Sequence, residues 1–162
     1  MLFRSIAAMT SLGGSVWIEH SDERKRLEMT RRKFAAEEGD HLTLLNVYQA
    51  FITTGKKDVK FCRDNSLNFK SMTRAVSVRG QLKRMLERFG LAVDETLSKN
   101  ANKQALGASG MDKGEAIRRC LTTGFFAHAA KMQPDGTFRN VAGGTVLHAH
   151  PSSLRSEEHT SE

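Results

Sequence analysis

Few residues of this chain can interrupt a helix or cross-link a fold. Only two prolines occur, Pro134 and Pro151, so long helices are possible over most of the 162 residues. The two cysteines, Cys62 and Cys120, lie far apart, and neither belongs to a CxxC pair or to a metal-like spacing. The sequence therefore predicts reduced thiols in an intracellular protein and no disulfide framework.

Long apolar segments and catalytic motifs are also missing. No run approaches the roughly 18 apolar residues of a membrane span, and residues 1–12 are not followed by the cleavage pattern of a signal peptide. The chain contains no GxxxxGK(S/T), GxGxxG, HExxH or GxSxG motif. His148 and His150 point the same way on a predicted strand, but nearby ligands are lacking, which disfavours a metal site. The absence of these catalytic motifs also disfavours an independent small enzyme.

Positive charge is what the chain has in excess. The composition, 39% apolar and 27% charged, is typical of a globular protein and excludes a mostly disordered one. The formal net charge is +7 and the pI is about 9.7. Such a balance favours a polyanionic partner, which could be nucleic acid, an acidic protein surface or an anionic membrane. Charge alone leaves these partners open, together with plain solubility.

Apolar periodicity predicts that the first part of the chain is helical. Ser21 is a candidate cap for one of these helices, and Asp40 is a candidate cap for another. The predicted helices cover residues 4–12, 22–36, 40–53, a short stretch through Cys62, and 71–89.

The helix over 71–89 has the strongest periodicity. Seven apolar side chains are expected to line one side of it: Met72, Ala75, Val76, Leu82, Met85, Leu86 and Phe89. Arg79 lies near this stripe, where an unpaired charge would be costly. It therefore needs a partner, and a structural partner is the commoner answer than a phosphate.

The remainder of the chain is predicted to turn to β-structure only at its end. Residues 93–112 lack periodicity and predict a flexible surface insertion. A helix follows, running to about Met132, with His128 as a core histidine on its apolar face. Residues 134–136 (Pro-Asp-Gly) predict a turn, and two strands are expected over 137–141 and 145–150.

Five blocks, in order, resemble segments of the DEAH-box RNA helicases. Residues 38–48, EGDHLTLLNVY, match a block of that family. Residues 68–82 resemble its NY(K/R)xLxRAxxVRxQL helix, and residues 116–130 its IxRCIxxGFFxxAA helix. Residues 136–139 and 146–153 resemble its GxYRT strand and its LHIHPSS segment. The departures are Gly80, Phe138 in place of the usual Tyr, and the long insertion.

The resemblance is closest to the branch associated with pre-mRNA splicing. It implies a mainly α fold with a C-terminal β segment: a helical ratchet bundle over residues 1–92, and the truncated start of an OB-fold over 113–154. It also implies a nuclear parent helicase that uses ATP and Mg, and a fragment that lacks the RecA domains, has no cofactor and no ATPase activity alone. Family-motif residues with a structural role would be Gly39, Asp40, His41, Asn46, Tyr48, His150 and Pro151.

Single-stranded RNA is the expected partner, bound through its backbone by Lys and Arg side chains. The candidates, chosen from charge and placement, are Arg74, Arg79, Lys83, Arg84, Arg118, Arg119, Lys131 and Arg139. The alternative is an interaction module that docks a G-patch-type cofactor, among other spliceosome components, without touching RNA.

The last eight residues, 155–162, have no counterpart in that family. They match the in-frame translation of a common sequencing-library adapter, so they are expected to be an artefact and are excluded from the fold prediction. Their net charge is −2, and without them the chain would carry +9.

Overall fold

The structure, a computed structural model, describes residues 2–18, 24–53, 58–91, 113–150 and 153. The chain divides into two compact units, Met1–Ala105 and Leu106–Glu162. The first unit is helical, and the second is a helix followed by a small sheet. The predicted class, mainly helical with β-structure at the end, is thereby confirmed. The cap Ser21, the insertion 93–112 and the terminal residues 155–162 lie outside the described residues.

The described residues of the first unit form five helices. They are α1 (Phe3–Thr10), α2 (Arg24–Phe34), α3 (Asp40–Thr53), α4 (Val59–Asp64) and α5 (Phe69–Arg88). Helix α1 packs against both α3 and α5, α2 packs against α3, and α4 packs against α5. Between α1 and α2 the chain is extended, and Trp17 pairs with Leu67 in an antiparallel bridge. No helix in the described part of the chain is long and apolar enough to cross a membrane.

The hydrophobic core of this unit is formed by buried side chains from one side of each of these helices. Its largest fully buried side chains are Phe51, Ile6, Leu67, Met72, Val47 and Cys62. The Phe51 ring lies 6.4 Å from the rings of both Phe61 and Phe69, measured between centroids, which joins α3 to α4 and α5. Burial, and secondly the nearby Asp58 carboxylate, raise the pKa of the Cys62 thiol to about 11. The thiol is therefore neutral and unreactive near neutral pH.

The start of α3 differs from the prediction by one residue. Asp40 is the first helical residue, and Gly39 stands in the cap position, because its carbonyl accepts hydrogen bonds from the N–H groups of Leu42 and Thr43, both at 3.1 Å. Gly39 has a φ of 120°, a conformation that side chains rarely adopt. The N-cap predicted for Asp40 was therefore wrong.

The apolar stripe of α5 is buried over only half of the helix. Met72 and Ala75 are fully buried, whereas Met85 is 55% and Phe89 74% exposed. The eight residues of α1 are about 12 Å long and the twenty of α5 about 30 Å. Since α1 is the main neighbour of α5, it cannot cover the C-terminal half. The apolar side predicted for this helix is therefore covered over its N-terminal half and partly open to solvent beyond it.

The second unit is a helix followed by an antiparallel sheet. Its elements are α6 (Lys113–Phe125), a single 3-10 turn (Phe126–His128), β1 (Ala130–Met132), β2 (Phe138–Asn140) and β3 (Val146–Leu147). The strand order is β1-β2-β3. The helix ends at Phe125 and does not run to Met132 as predicted, because residues 130–132 pair with β2. His128 is exposed, so the prediction of a core histidine was wrong.

The turn between β1 and β2 was correctly predicted at residues 134–136. The Gly136 N–H donates to the Gln133 carbonyl at 3.1 Å. The Asp135 carboxylate accepts a hydrogen bond from the Thr137 hydroxyl at 2.7 Å and another from the Thr137 N–H at 3.0 Å. The bond from the hydroxyl, and secondly the bond from the N–H, hold the pKa of Asp135 below its usual value. The turn brings β1 and β2 into the register described below.

Candidate nucleic-acid interface

Helix α5 carries six basic side chains and one acidic one. Three of the residues predicted to contact RNA, Arg74, Lys83 and Arg84, are exposed. Lys83 is close to Glu87, with 3.8 Å between Nζ and Oε1, but both side chains are about half exposed, so this pair contributes little to stability.

The three exposed candidates of α5 do not form one strip. At 100° per residue, Arg74 and Lys83 lie on opposite sides of the helix. The candidate Arg84 is on the same side as Arg74, about 80° around the helix. The same side also carries two further exposed cations, Lys70 and Arg88, which are one and four turns from Arg74. Lys70 and Arg88 were missing from the predicted set of RNA contacts, although helical periodicity alone places them on the same side of the helix as Arg74.

Arg79 has the structural partner that its position required. Its Nε donates to the Ser5 hydroxyl at 3.0 Å, and its guanidinium carbon lies 5.9 Å from the centroid of the Tyr48 ring. Ser5 and Tyr48 are 4% and 5% exposed. Arg79 thus ties α5 to α1 and α3. No local pattern indicates the serine, because Ser5 is 74 residues away.

The residues expected to have a family-motif role occupy different places. Asn46 donates from Nδ2 to the Phe34 carbonyl at 3.1 Å, which fixes the end of α2 to α3. Tyr48 is buried beneath Arg79, as described above, and Gly39 precedes α3. His41 and His150 are exposed. Pro151 lies outside the described residues.

In the second unit, Arg118 and Arg119 are exposed on α6. Together with Glu115 and Thr122 they line an open hollow of about 400 Å³. Arg119 is paired with Glu115, with 2.7 Å between Nη2 and Oε1. In the described residues no three His, Cys, Asp or Glu side chains gather as a metal ion would require.

The sheet places two predicted cations directly opposite each other. Lys131 in β1 is the register partner of Arg139 in β2, and both residues are exposed. Partners of this kind share one face of the sheet with their Cβ atoms about 5 Å apart, and like charges so placed destabilise the pair. The arrangement concentrates positive charge at one point of the sheet, where an anion would relieve the repulsion.

No family model matches the chain. Curated proteins do match it. The human protein named "Probable ATP-dependent RNA helicase DHX35" is 37% identical over 150 residues, 93% of this chain and 19% of the relative. Its Caenorhabditis elegans homolog is 36% identical over 85% of this chain and 17% of the relative. The Drosophila melanogaster "ATP-dependent RNA helicase DHX33" is 32% identical over 86% and 18%.

The homologues of this chain are therefore ATP-dependent RNA helicases, which agrees with the resemblance found in its motifs. The chain spans about a fifth of the length of the curated relatives that it matches. Helicase activity belongs to proteins several times longer than this chain, and what this segment contributes has to be argued from its own residues.

Proposed function

We propose that the chain is a segment of a DEAH-box RNA helicase and that it contributes basic surfaces to a channel for single-stranded RNA. The helical unit corresponds to the ratchet region of that family, and the unit after the insertion corresponds to the beginning of its OB-fold. The identity of 32–37% to ATP-dependent RNA helicases over most of the chain supports this assignment.

The observation that carries the RNA-binding proposal is the opposed pair Lys131 and Arg139. A sheet built for stability alone would place opposite or neutral side chains at these positions. The Asp135 carboxylate in the adjoining turn supplies part of the missing negative charge, since it interacts with Arg139. Phosphate oxygens would supply the rest. The surrounding sequence adds little acid, since residues 113–150 hold five basic and two acidic side chains.

The mechanism is contact with the phosphate backbone, without reading of bases. Each Lys or Arg that neutralises a phosphate releases counterions, so affinity falls as salt rises, with a slope of about −0.7 per contact for single strands. On α5, the exposed candidates Arg74 and Arg84, which share one side of the helix, supply such contacts in the first unit. In the whole helicase these surfaces would resist backward sliding of the RNA while the motor domains open and close.

The whole protein is further proposed to bind ATP with Mg and to act in the nucleus in pre-mRNA splicing. These proposals depend on the resemblance of the motif blocks to the splicing branch. The names of the relatives give no support to the alternative of a G-patch docking module.

The variant Lys131→Glu tests the opposed pair. It turns a repulsive cross-strand pair into an attractive one, so the sheet should become more stable by about 0.2–1 kcal/mol, measured by hydrogen exchange of residues 130–140. The same variant should bind single-stranded RNA more weakly and with a shallower salt dependence. Lys60→Glu on the exposed surface of α4 makes the same change of charge away from the sheet and serves as the control. Equal affinities for the two variants would contradict the proposed site.

A further inference from the structure

Three hydroxyl side chains of the chain stand three residues after an arginine. They are Ser66 after Arg63, Ser77 after Arg74, and Thr122 after Arg119. A large class of serine/threonine kinases selects arginine at this position, because acidic side chains of the kinase pair with its guanidinium. By sequence the three hydroxyls are equivalent acceptors of a phosphoryl group, and the structure separates them.

The two serines lie in the packed helical unit. Ser66 has a left-handed backbone with a φ of 50°, and its carbonyl accepts a hydrogen bond from the Ile18 N–H at 2.9 Å. Ser77 lies in the middle of the 20-residue helix α5, whose first half is anchored by the buried Met72 and Ala75. A kinase cleft binds its acceptor as an extended segment, so either serine would have to leave a packed environment first.

Thr122 lies in a helix that few buried contacts hold in place. It is exposed on α6, which has 13 residues, a length at which a helix without tertiary packing is only marginally stable. Ile117 is the one buried apolar side chain among the described residues 113–150. Local opening of α6 therefore costs less free energy than opening of α5, and the threonine is the most accessible of the three acceptors.

The surroundings of this hydroxyl suit a phosphate. Thr122 Oγ1 donates to the Arg118 carbonyl at 2.9 Å, so the oxygen faces the preceding turn of the helix. Side chains three and four residues earlier are its neighbours on a helix surface, and these are Arg119 and Arg118, which line the same hollow. Arg119 is paired with Glu115, but their side chains are 71% and 39% exposed. Such a pair is weak, so a phosphate of higher charge can replace the carboxylate.

We propose that Thr122 is phosphorylated by an arginine-directed kinase and that the phosphate then occupies Arg118 and Arg119. The transfer forms a bond between Oγ1 and the γ-phosphorus of ATP and breaks the bond from that phosphorus to ADP, while the hydroxyl proton passes to the catalytic base of the kinase. The phosphate adds a charge of about −1.5 to −2, so the net charge of residues 113–150 falls from +3 to about +1. Two candidate RNA contacts are thereby withdrawn, a consequence that rests on the proposed function.

The test incubates the full 162-residue chain with ATP, Mg and a purified calmodulin-dependent protein kinase, whose substrates carry arginine at this position. Mass spectrometry of phosphopeptides measures the rate of modification at each hydroxyl. In the folded chain Thr122 should be modified, and Ser66 and Ser77 at least about tenfold more slowly. Peptides of residues 60–70, 71–81 and 116–126 are the matched controls, and all three should be modified at comparable rates because no fold protects them.

Binding of an oligouridylate measures the consequence for RNA. Phosphorylation should reduce the slope of log affinity against log salt by about 1.4, as expected for two lost contacts, whereas the Thr122→Val chain should keep its slope after the same treatment. A folded chain in which Thr122 stays unmodified, or in which the serines react as fast, would overturn the site. An unchanged slope after full phosphorylation would overturn the capture of the phosphate by the arginines. If the untreated chain binds no RNA in a salt-sensitive way, the proposed function falls together with this consequence, and the peptide mapping still decides the site.

Discussion

Replacing Arg79 by glutamine should destabilise the helical unit by about 2 kcal/mol. The change removes a hydrogen bond from a charged donor to the buried Ser5 hydroxyl, an interaction worth about 1.5–3 kcal/mol. It also removes the contact of the guanidinium with the Tyr48 ring, worth about 0.5–1 kcal/mol where the cation is not fully buried. Glutamine can restore part of the hydrogen bonding. We therefore expect a loss near the lower end of the range obtained by adding these two contributions.

Urea unfolding followed by fluorescence measures this change in the right unit, because the single tryptophan, Trp17, belongs to the helical unit. Arg74→Gln is the control: it removes the same charge from an exposed position of α5 and should shift the free energy of unfolding by less than about 0.5 kcal/mol. A double-mutant cycle with Ser5→Ala should show coupling of about 1 kcal/mol or more. A free energy of unfolding for Arg79→Gln as close to wild type as that of the control would refute the structural role of Arg79.

Three further outcomes are expected. Gly80→Ala in the middle of α5 should stabilise the unit by up to about 1 kcal/mol in urea unfolding, because an added Cβ meets nothing closer than 3.8 Å; a loss of stability would contradict that geometry. A thiol reagent at pH 8 should modify the exposed Cys120 rapidly and the buried Cys62 only after unfolding, since the pKa of Cys62 is raised to about 11; equal rates would contradict its burial. In an NMR titration, Thr137→Val should raise the pKa of Asp135 towards its ordinary value, because the main cause of its lowered pKa is lost; an unchanged midpoint would exclude the hydroxyl as that cause.

Local signals in the sequence predicted the helical elements and the turns well. Apolar periodicity located α3 and α5, and the Pro-Asp-Gly turn located the hairpin, because each of these signals depends on neighbouring residues. The end of α6 was misplaced, since residues 130–132 favour a helix locally and become a strand only by pairing with β2. The exposure of Phe89 was missed because periodicity states which side is apolar, not whether a neighbour is long enough to cover it.

The candidate interface was predictable by charge and not by geometry. The sequence indicated basic residues, but the opposition of Lys131 and Arg139 follows from a register that requires β1, which was not predicted. The role of Arg79 likewise depends on a serine at the other end of the unit. Tertiary pairing, which no local pattern encodes, decided which cations are structural and which are presented to solvent.

The salt dependence of single-stranded RNA binding by the wild-type chain tests the central claim most directly. With about four phosphate contacts, a plot of log affinity against log salt should be linear with a slope of about −3. The affinity for RNA should then fall by a factor of several tens between about 50 and 200 mM salt. Base composition of the oligonucleotide should change the affinity little. An affinity that does not respond to salt over this range, or no binding at its lower end, would contradict the account.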